Sequence, residues 1–118
     1  MDFGSGRHLD FTVSTQCTPY QRVHLCGTKG RIEIQIPVNA PQGARTNLFI
    51  DDGSSLAGAG IRTETLPESD QYMLQGETFS RAVRGEIELP YGIEDAVLSM
   101  RAIDALFRSE ASGRWETV

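Results

Sequence analysis

Glycine-rich turns are the first features of this chain that could do chemistry. Gly4–Gly6 and Gly27–Gly30 invite comparison with loops that bind phosphate groups. The first lacks a third glycine, the second lacks a following Ser or Thr, and both lead into predicted strands. Because a phosphate-binding loop needs a helix N-terminus behind it, we interpret both segments as plain turns.

Metal-binding side chains are few and scattered. His8 and His24 fall on polar positions of predicted strands, and no spacing supplies the three or four ligands that a metal site needs. Asp10 and Glu33 could share one sheet face, where carboxylates are typical of a solvated surface. The run Asp51–Ser54 begins like a calcium loop but lacks the later Glu, which indicates a turn. No metal ligand is therefore assigned.

A catalytic group of nucleophile, base and orienting residue cannot be assembled either. Asp104 faces away from the apolar stripe of its predicted helix, which indicates a solvated carboxylate. Cys17 falls at a predicted turn and Cys26 far along the partner strand, at opposite parity, so a disulfide is disfavoured. We interpret both as reduced, buried or half-buried thiols, which suit the cytoplasm. No catalytic or cofactor-binding residue is assigned.

Composition narrows the partners that the chain could have. Its 118 residues predict a single domain over positions 1–118. The net charge of −5 disfavours binding to a nucleic acid backbone. No apolar run approaches the roughly 20 residues that span a bilayer, and Met1–Phe11 does not resemble a secretory signal. We therefore expect neither nucleic acid nor membrane as a partner.

Alternation of apolar and polar residues predicts an antiparallel meander of about five or six strands. The central hairpin runs from Val23 to Ile36. A strand stub at Met1–Phe3 and a half-buried strand at Arg7–Thr15 are expected before it. Leu48–Asp51 and Ile61–Leu66 are expected to follow as the last two strands.

Helical spacing replaces this alternation in the second half of the chain. It predicts helices at about Asp70–Arg84 and Ile93–Ser112, which end at Gly85 and Gly113. Apolar stripes on the helices and strands predict that both helices cover one sheet face and that Phe107 is buried. The predicted fold class is α+β, an antiparallel β-sheet meander covered on one face by two C-terminal helices.

The other sheet face is expected to hold the polar positions of the strands. These are His8, Asp10, Thr12, Ser14, His24, Glu33 and Gln35. Because the face mixes both signs of charge with hydroxyls and amides, two copies could pair through it about a twofold axis. Simple solvation of the face is the alternative.

Two runs of sequence carry a resemblance to a known family. The first run, GTKGRIEIQIPVNAP, is similar to a hairpin of the Gfo/Idh/MocA family, the family of glucose-fructose oxidoreductase and inositol dehydrogenase. The run from Ser69 to Trp115 is similar to its C-terminal end through Tyr72, Phe79, Gly85, Pro90, Asp95, Ala96, Ala105, Ser109, Ser112 and Gly113. The resemblance covers the chain from about Phe3 to Val118.

That resemblance implies an enzyme that uses NAD or NADP to oxidise or reduce sugars, cyclitols and related polyols. Full members of the family carry an N-terminal Rossmann domain, a lysine from a Glu-Lys-Pro motif, and an Asp and a His from a later helix. None of these motifs is found here, so no catalytic residue is carried over. The chain resembles only the later part of the second domain, and we expect it to be inactive alone.

Two roles remain open for such a chain. One is the substrate-side and oligomerisation domain of the oxidoreductase. The resemblance favours this role, because members of the family commonly form dimers through the open sheet face. The alternative is a standalone interaction module, or a small-molecule module that binds sugar through the loop Asn39–Thr46. Coding sequence for a Rossmann domain upstream of Met1 would favour the first role.

Overall fold

The computed structural model describes residues 1–118 and contains four strands followed by two helices. The elements are β1 (Arg22–Gly27), β2 (Gly30–Gln35), β3 (Thr46–Asp51), β4 (Ile61–Leu66), α1 (Gln71–Val83) and α2 (Ile93–Ser112). The strands pair in chain order, β1-β2-β3-β4, and every pairing is antiparallel. The predicted α+β class and its antiparallel meander are confirmed.

The chain divides into two compact units after residue 70. Met1–Asp70 holds the sheet, and Gln71–Val118 holds the two helices. Within α2 the buried side chain is Ala105, whereas Phe107 is 65% exposed, so its predicted burial is wrong. Helical spacing shows which positions share a face, but it does not show what covers that face. The covering of one sheet face by the helices stays a prediction.

The β1–β2 hairpin has the turn that its glycines predict. Thr28 and Lys29 form the two-residue loop, closed by the pair Gly27 and Gly30. At Gly30 φ is +150°, and an added Cβ would overlap the backbone carbonyl oxygen of Asp51 in β3. Glycine is therefore needed there both for its backbone angle and for the close approach of the next strand.

The strands predicted at Met1–Phe3 and Arg7–Thr15 are wrong. The segment holds one isolated bridge, Asp2 with His8, and no strand. Val13, expected to be half-buried, is 83% exposed. The physical reason is that a strand needs a neighbour for its backbone hydrogen bonds, and β1 pairs with β2 alone. The sheet therefore has four strands rather than five or six.

Element ends lie close to those that capping and turn residues predict. β2 ends at Gln35 because Ile36 turns to φ +48°, and β3 begins at Thr46, two residues before the predicted start. α2 has its predicted bounds and ends at Gly113, whose left-handed backbone lets its N–H donate to the Ser109 carbonyl. Neither helix combines the length and apolar character that crossing a bilayer requires.

The C-terminal tail folds back on the end of α2. The Arg108 guanidinium donates to the Thr117 carbonyl at 2.7 Å, and the Ser109 hydroxyl donates to the Arg114 carbonyl at 2.6 Å. Trp115, the single tryptophan of the chain, lies between these anchors and is 79% exposed. The tail is thus ordered by polar contacts with its own helix, while its indole ring remains in solvent.

Gly30→Ala is expected to destabilise the chain more than Gly43→Ala does. Both glycines have positive φ, a backbone conformation that costs an L residue on the order of 1–3 kcal/mol. Gly43 has open space around it, whereas at Gly30 the new methyl overlaps the backbone of β3. We expect a total loss of about 3 kcal/mol for Gly30→Ala, measured by urea denaturation followed by circular dichroism. Equal losses in the two variants would contradict the close approach.

Candidate functional site

The two faces of the sheet differ in chemistry, because successive side chains of a strand point to opposite sides. The polar face, as we name it, is formed by Arg22, His24, Cys26, Arg31, Glu33, Gln35, Asn47, Phe49, Asp51, Ile61, Thr63 and Thr65. The apolar face includes Val23, Leu25, Ile32, Ile34, Leu48 and Ile50. The polar face is the part of the sheet unit where charged and hydrogen-bonding side chains are concentrated.

Two ion pairs cross neighbouring strands on the polar face. Arg22 Nε lies 3.0 Å from Glu33 Oε1, joining β1 to β2, and Arg31 Nε lies 3.0 Å from Asp51 Oδ2, joining β2 to β3. The four side chains line one shallow cavity of about 270 Å³, together with Phe49 and Ile61. Positive and negative groups therefore alternate across this part of the sheet.

Asp51 is the most buried charged residue of the chain, with 8% of its side chain exposed. Its Oδ2 faces Arg31, and its Oδ1 accepts a hydrogen bond from the Gly53 N–H at 3.0 Å. Both carboxylate oxygens are thus paired, which offsets the cost of taking the charge out of water. This arrangement ties the end of β3 to β2 and to the turn that follows.

Arg22 is held on several sides at once. Its guanidinium lies 5.0 Å from the centre of the Tyr20 ring, and its Nη1 donates to the Gln21 carbonyl at 2.7 Å. With Nε on Glu33, the side chain is only 20% exposed. Contacts with a ring, a carbonyl and a carboxylate together restrict the rotamers of this long side chain.

Uncharged side chains join three strands at the end of the polar face away from Asp51. The Thr65 hydroxyl donates to Asn47 Oδ1 at 2.9 Å, and Asn47 Nδ2 donates to Gln35 Oε1 at 2.8 Å. The chain of bonds runs from β4 through β3 to β2. Cross-strand pairs of this kind each contribute roughly 0.2–1 kcal/mol to sheet stability.

The run Asp51–Ser54 is a turn, as its composition predicts. Asp52 Oδ1 accepts a hydrogen bond from the Ser54 N–H at 2.9 Å. Hydrogen bonds from the Ser54 hydroxyl and from the Ser54 backbone hold the pKa of Asp52 below its usual range. No group of three His, Cys, Asp or Glu side chains in residues 1–118 converges closely enough to hold a metal ion.

The structure brings together only part of the polar surface expected from the sequence. His24, Glu33 and Gln35 lie on the polar face, with His24 directly opposite Glu33. The other four expected members, His8, Asp10, Thr12 and Ser14, are outside the sheet, because the strand predicted to carry them does not form. His8 Nδ1 instead lies 3.6 Å from the carboxylate of Asp2. That part of the expected surface is wrong.

Both cysteines also differ from their expected environment. Cys17 and Cys26 are free thiols, and both are exposed rather than buried or half-buried. Cys17 follows the N-terminal segment that forms no strand, and Cys26 lies on the polar face in the edge strand β1. Asp104 is exposed on α2, as its helical position predicts.

Arg22, Arg31 and Asp51 are polar-face residues that sequence reasoning missed. Arg31 and Glu33 lie two positions apart in one predicted strand, so their shared face and opposite charges were visible in the sequence. The ion pairs with Arg22 and Asp51 cross between strands, and they become visible only once the register is known. Asp51 was hidden because it also begins a turn.

Comparison with known proteins shows that the chain is similar to one domain of longer proteins. A family model described as the C-terminal alpha/beta domain of the Gfo/Idh/MocA oxidoreductase family matches residues 1–118. An uncharacterised oxidoreductase of Rhizobium meliloti is 36% identical over 116 residues, which cover 98% of this chain and 35% of that protein. No solved structure is significantly similar to the chain.

A second relative has a more specific name. A D-xylose 1-dehydrogenase (NADP(+)) of Haloferax volcanii is 31% identical over 113 residues, which cover 95% of this chain and 32% of that protein. The chain therefore spans about a third of the length of the curated relatives that it matches. The reactions of those proteins belong to much longer chains.

Asp51→Ala is expected to lower the free energy of unfolding by about 1–3 kcal/mol, because it removes the buried carboxylate and leaves the Arg31 Nε and the Gly53 N–H without their acceptor. Glu64→Ala is the matched control, since Glu64 forms an exposed pair with Arg62 at 3.2 Å on a neighbouring strand. Such a pair contributes roughly 0–1 kcal/mol. Urea denaturation of both variants measures the difference, and equal losses would mean that the burial of Asp51 is unimportant.

Proposed function

Because the chain belongs to the Gfo/Idh/MocA oxidoreductase family, as its C-terminal α/β domain, we propose that it is the substrate-side and oligomerisation domain of an NAD(P)-dependent oxidoreductase for sugars or polyols. The family match over residues 1–118 carries this proposal. The printed name of the Haloferax volcanii relative, a D-xylose dehydrogenase using NADP⁺, supports a sugar substrate and a nicotinamide cofactor.

The cofactor, in this proposal, is held by a Rossmann domain that works with this one. The residues of the chain itself do not fit a dinucleotide. The segment that most resembles a phosphate-binding loop, Gly27–Gly30, closes a hairpin between β1 and β2. No helix N-terminus follows that turn to receive a pyrophosphate. The nicotinamide supplies the hydride chemistry, and the protein supplies binding and orientation. The exposed free thiols of Cys17 and Cys26 support a reducing, cytoplasmic setting.

The chain alone is expected not to bind NADPH or NADH and not to catalyse hydride transfer. Residues 1–118 joined to the Rossmann domain and the early part of the second domain of a family member, which carry the lysine, Asp and His motifs, are expected to oxidise at least one sugar or polyol, D-xylose included in the panel. Calorimetric titration tests the first statement, and absorbance of the reduced nicotinamide tests the second. The same segments of the family member without residues 1–118 are the control.

Three results would contradict this assignment in different ways. Micromolar binding of either nucleotide to the chain alone would place cofactor recognition within these residues. Failure of every sugar and polyol with the joined protein would contradict the substrate class. Binding of a sugar by the chain alone, without a nucleotide, would favour the standalone sugar-binding module instead.

The oligomerisation role is proposed to use the polar face. Four strands carry side chains of both charges, amides and hydroxyls to one side, and such a surface can meet its own copy about a twofold axis. A stable interface needs about 1,000 Å² or more of buried surface in total. A four-stranded sheet face offers an area of that order, so we propose a homodimer.

Thr63→Arg is expected to convert the dimer to a monomer. Thr63 lies on the polar face of β4, where a long charged side chain would meet the second copy. Glu64→Arg introduces the same side chain at the next position, on the opposite face of the same strand, and is expected to leave the dimer intact. Size exclusion with light scattering measures both. A wild-type monomer throughout the micromolar range would contradict the homodimer.

A further inference from the structure

We propose that Arg31 and Glu33 of one copy face Glu33 and Arg31 of a second copy, and that this exchanged contact selects how the two polar faces align. The inference rests on the proposed pairing through the polar face. It adds the residues that determine the alignment and the chemical reason why the partner is a second copy of this chain.

The two residues lie in the middle of the polar face with opposite charges. They are two positions apart on β2, an interior strand with β1 on one side and β3 on the other. Their Cα atoms are therefore separated by about 6–7 Å along the strand, with both side chains on the same side. Arg31 is 51% exposed and Glu33 is 29% exposed at the side chain, so a partner can reach both.

Each of the two groups keeps unused hydrogen-bonding capacity. Arg31 uses Nε for Asp51, and its two terminal nitrogens donate to no group of the chain. Glu33 accepts from Arg22 through Oε1, and its Oε2 accepts no hydrogen bond within the chain. The existing ion pairs hold both side chains in place. A charged partner would therefore meet preorganised groups with donors and acceptors available.

Symmetry makes this arrangement complementary to itself. Consider a twofold axis that lies midway between two facing sheets and passes over Ile32 of β2, perpendicular to the strand. It reverses the order of residues along β2 in the second copy, so Glu33 meets the partner's Arg31 and Arg31 meets the partner's Glu33. An axis parallel to the strand would place arginine on arginine and glutamate on glutamate. Like charges in contact disfavour that alignment.

The charge balance of the cavity favours a second copy over a small ion. Its two arginines and two carboxylates sum to zero, so the net charge of the cavity favours neither anions nor cations. A surface that carries the same two signs at the same spacing, in reversed order, satisfies all the unused groups at once. A second copy of this chain supplies that surface.

A charge-reversal experiment tests the proposed contact. Arg31→Glu places carboxylates against carboxylates across the axis, and Glu33→Arg places guanidinium groups against each other. Each variant alone is expected to dimerise at least tenfold more weakly than the wild type. In an equimolar mixture, the introduced glutamate of one chain faces Glu33→Arg of the other, and both contacts become favourable again. Size exclusion with light scattering is expected to show the dimer restored in the mixture.

Matched controls separate alignment from folding. Arg62→Glu and Glu64→Arg each reverse one charge of an arginine and a glutamate that also lie two positions apart on one strand, but on the opposite face. They are expected to leave the dimer unchanged. Arg31→Gln and Glu33→Gln are milder changes that are expected to weaken the dimer while the circular dichroism spectrum stays that of the wild type.

The outcomes distinguish this inference from the proposed function. A monomeric wild type would contradict the pairing itself, and the inference with it. A dimeric wild type whose Arg31→Glu and Glu33→Arg variants dimerise equally well would overturn the contact while leaving the pairing intact. Folded, monomeric variants whose mixture stays monomeric would also overturn it, since the reversed charges would then fail to meet.

Discussion

The contact between the backbones of Gly30 and Asp51 couples the geometry of three strands. Gly30 closes the hairpin opposite Gly27, and the next residue, Arg31, pairs with Asp51 in β3. In a sheet the register decides which face receives every side chain, so a slip of one residue would exchange the two faces. The missing side chain at Gly30 thereby allows the close approach of β3 at which Arg31 pairs with Asp51.

Local patterns were sufficient for the elements whose signals agree with one another. α2 has its predicted bounds because an apolar stripe, acidic residues in the first turn and a terminal glycine all indicate the same helix. Arg7–Thr15 has equally clear alternation and forms no strand. Alternation identifies residues that suit a sheet, whereas pairing depends on whether another strand is available, and that information is not local.

The sequence predicts which residues of one strand share the polar face, because side chains alternate along a strand. Parity placed His24, Glu33 and Gln35 on one face, but the ion pairs of Arg22 and Asp51 depend on the register between strands. Enzymatic chemistry could not be derived from the sequence, since no nucleophile, base and orienting group could be assembled from its residues. The family resemblance supplied the oxidoreductase assignment, because it depends on the order of many separated residues rather than on one site.

The C-terminal tail carries an intrinsic fluorescent probe of folding. Trp115 is the single tryptophan, and it lies in the helical unit between hydrogen bonds that anchor the tail to α2. Its emission therefore reports on residues after position 70, and the sheet unit contributes no tryptophan signal of its own. Fluorescence and the β-sheet band of circular dichroism thus follow different parts of one chain. Coincidence or separation of their melting curves measures how strongly the two units are coupled in folding.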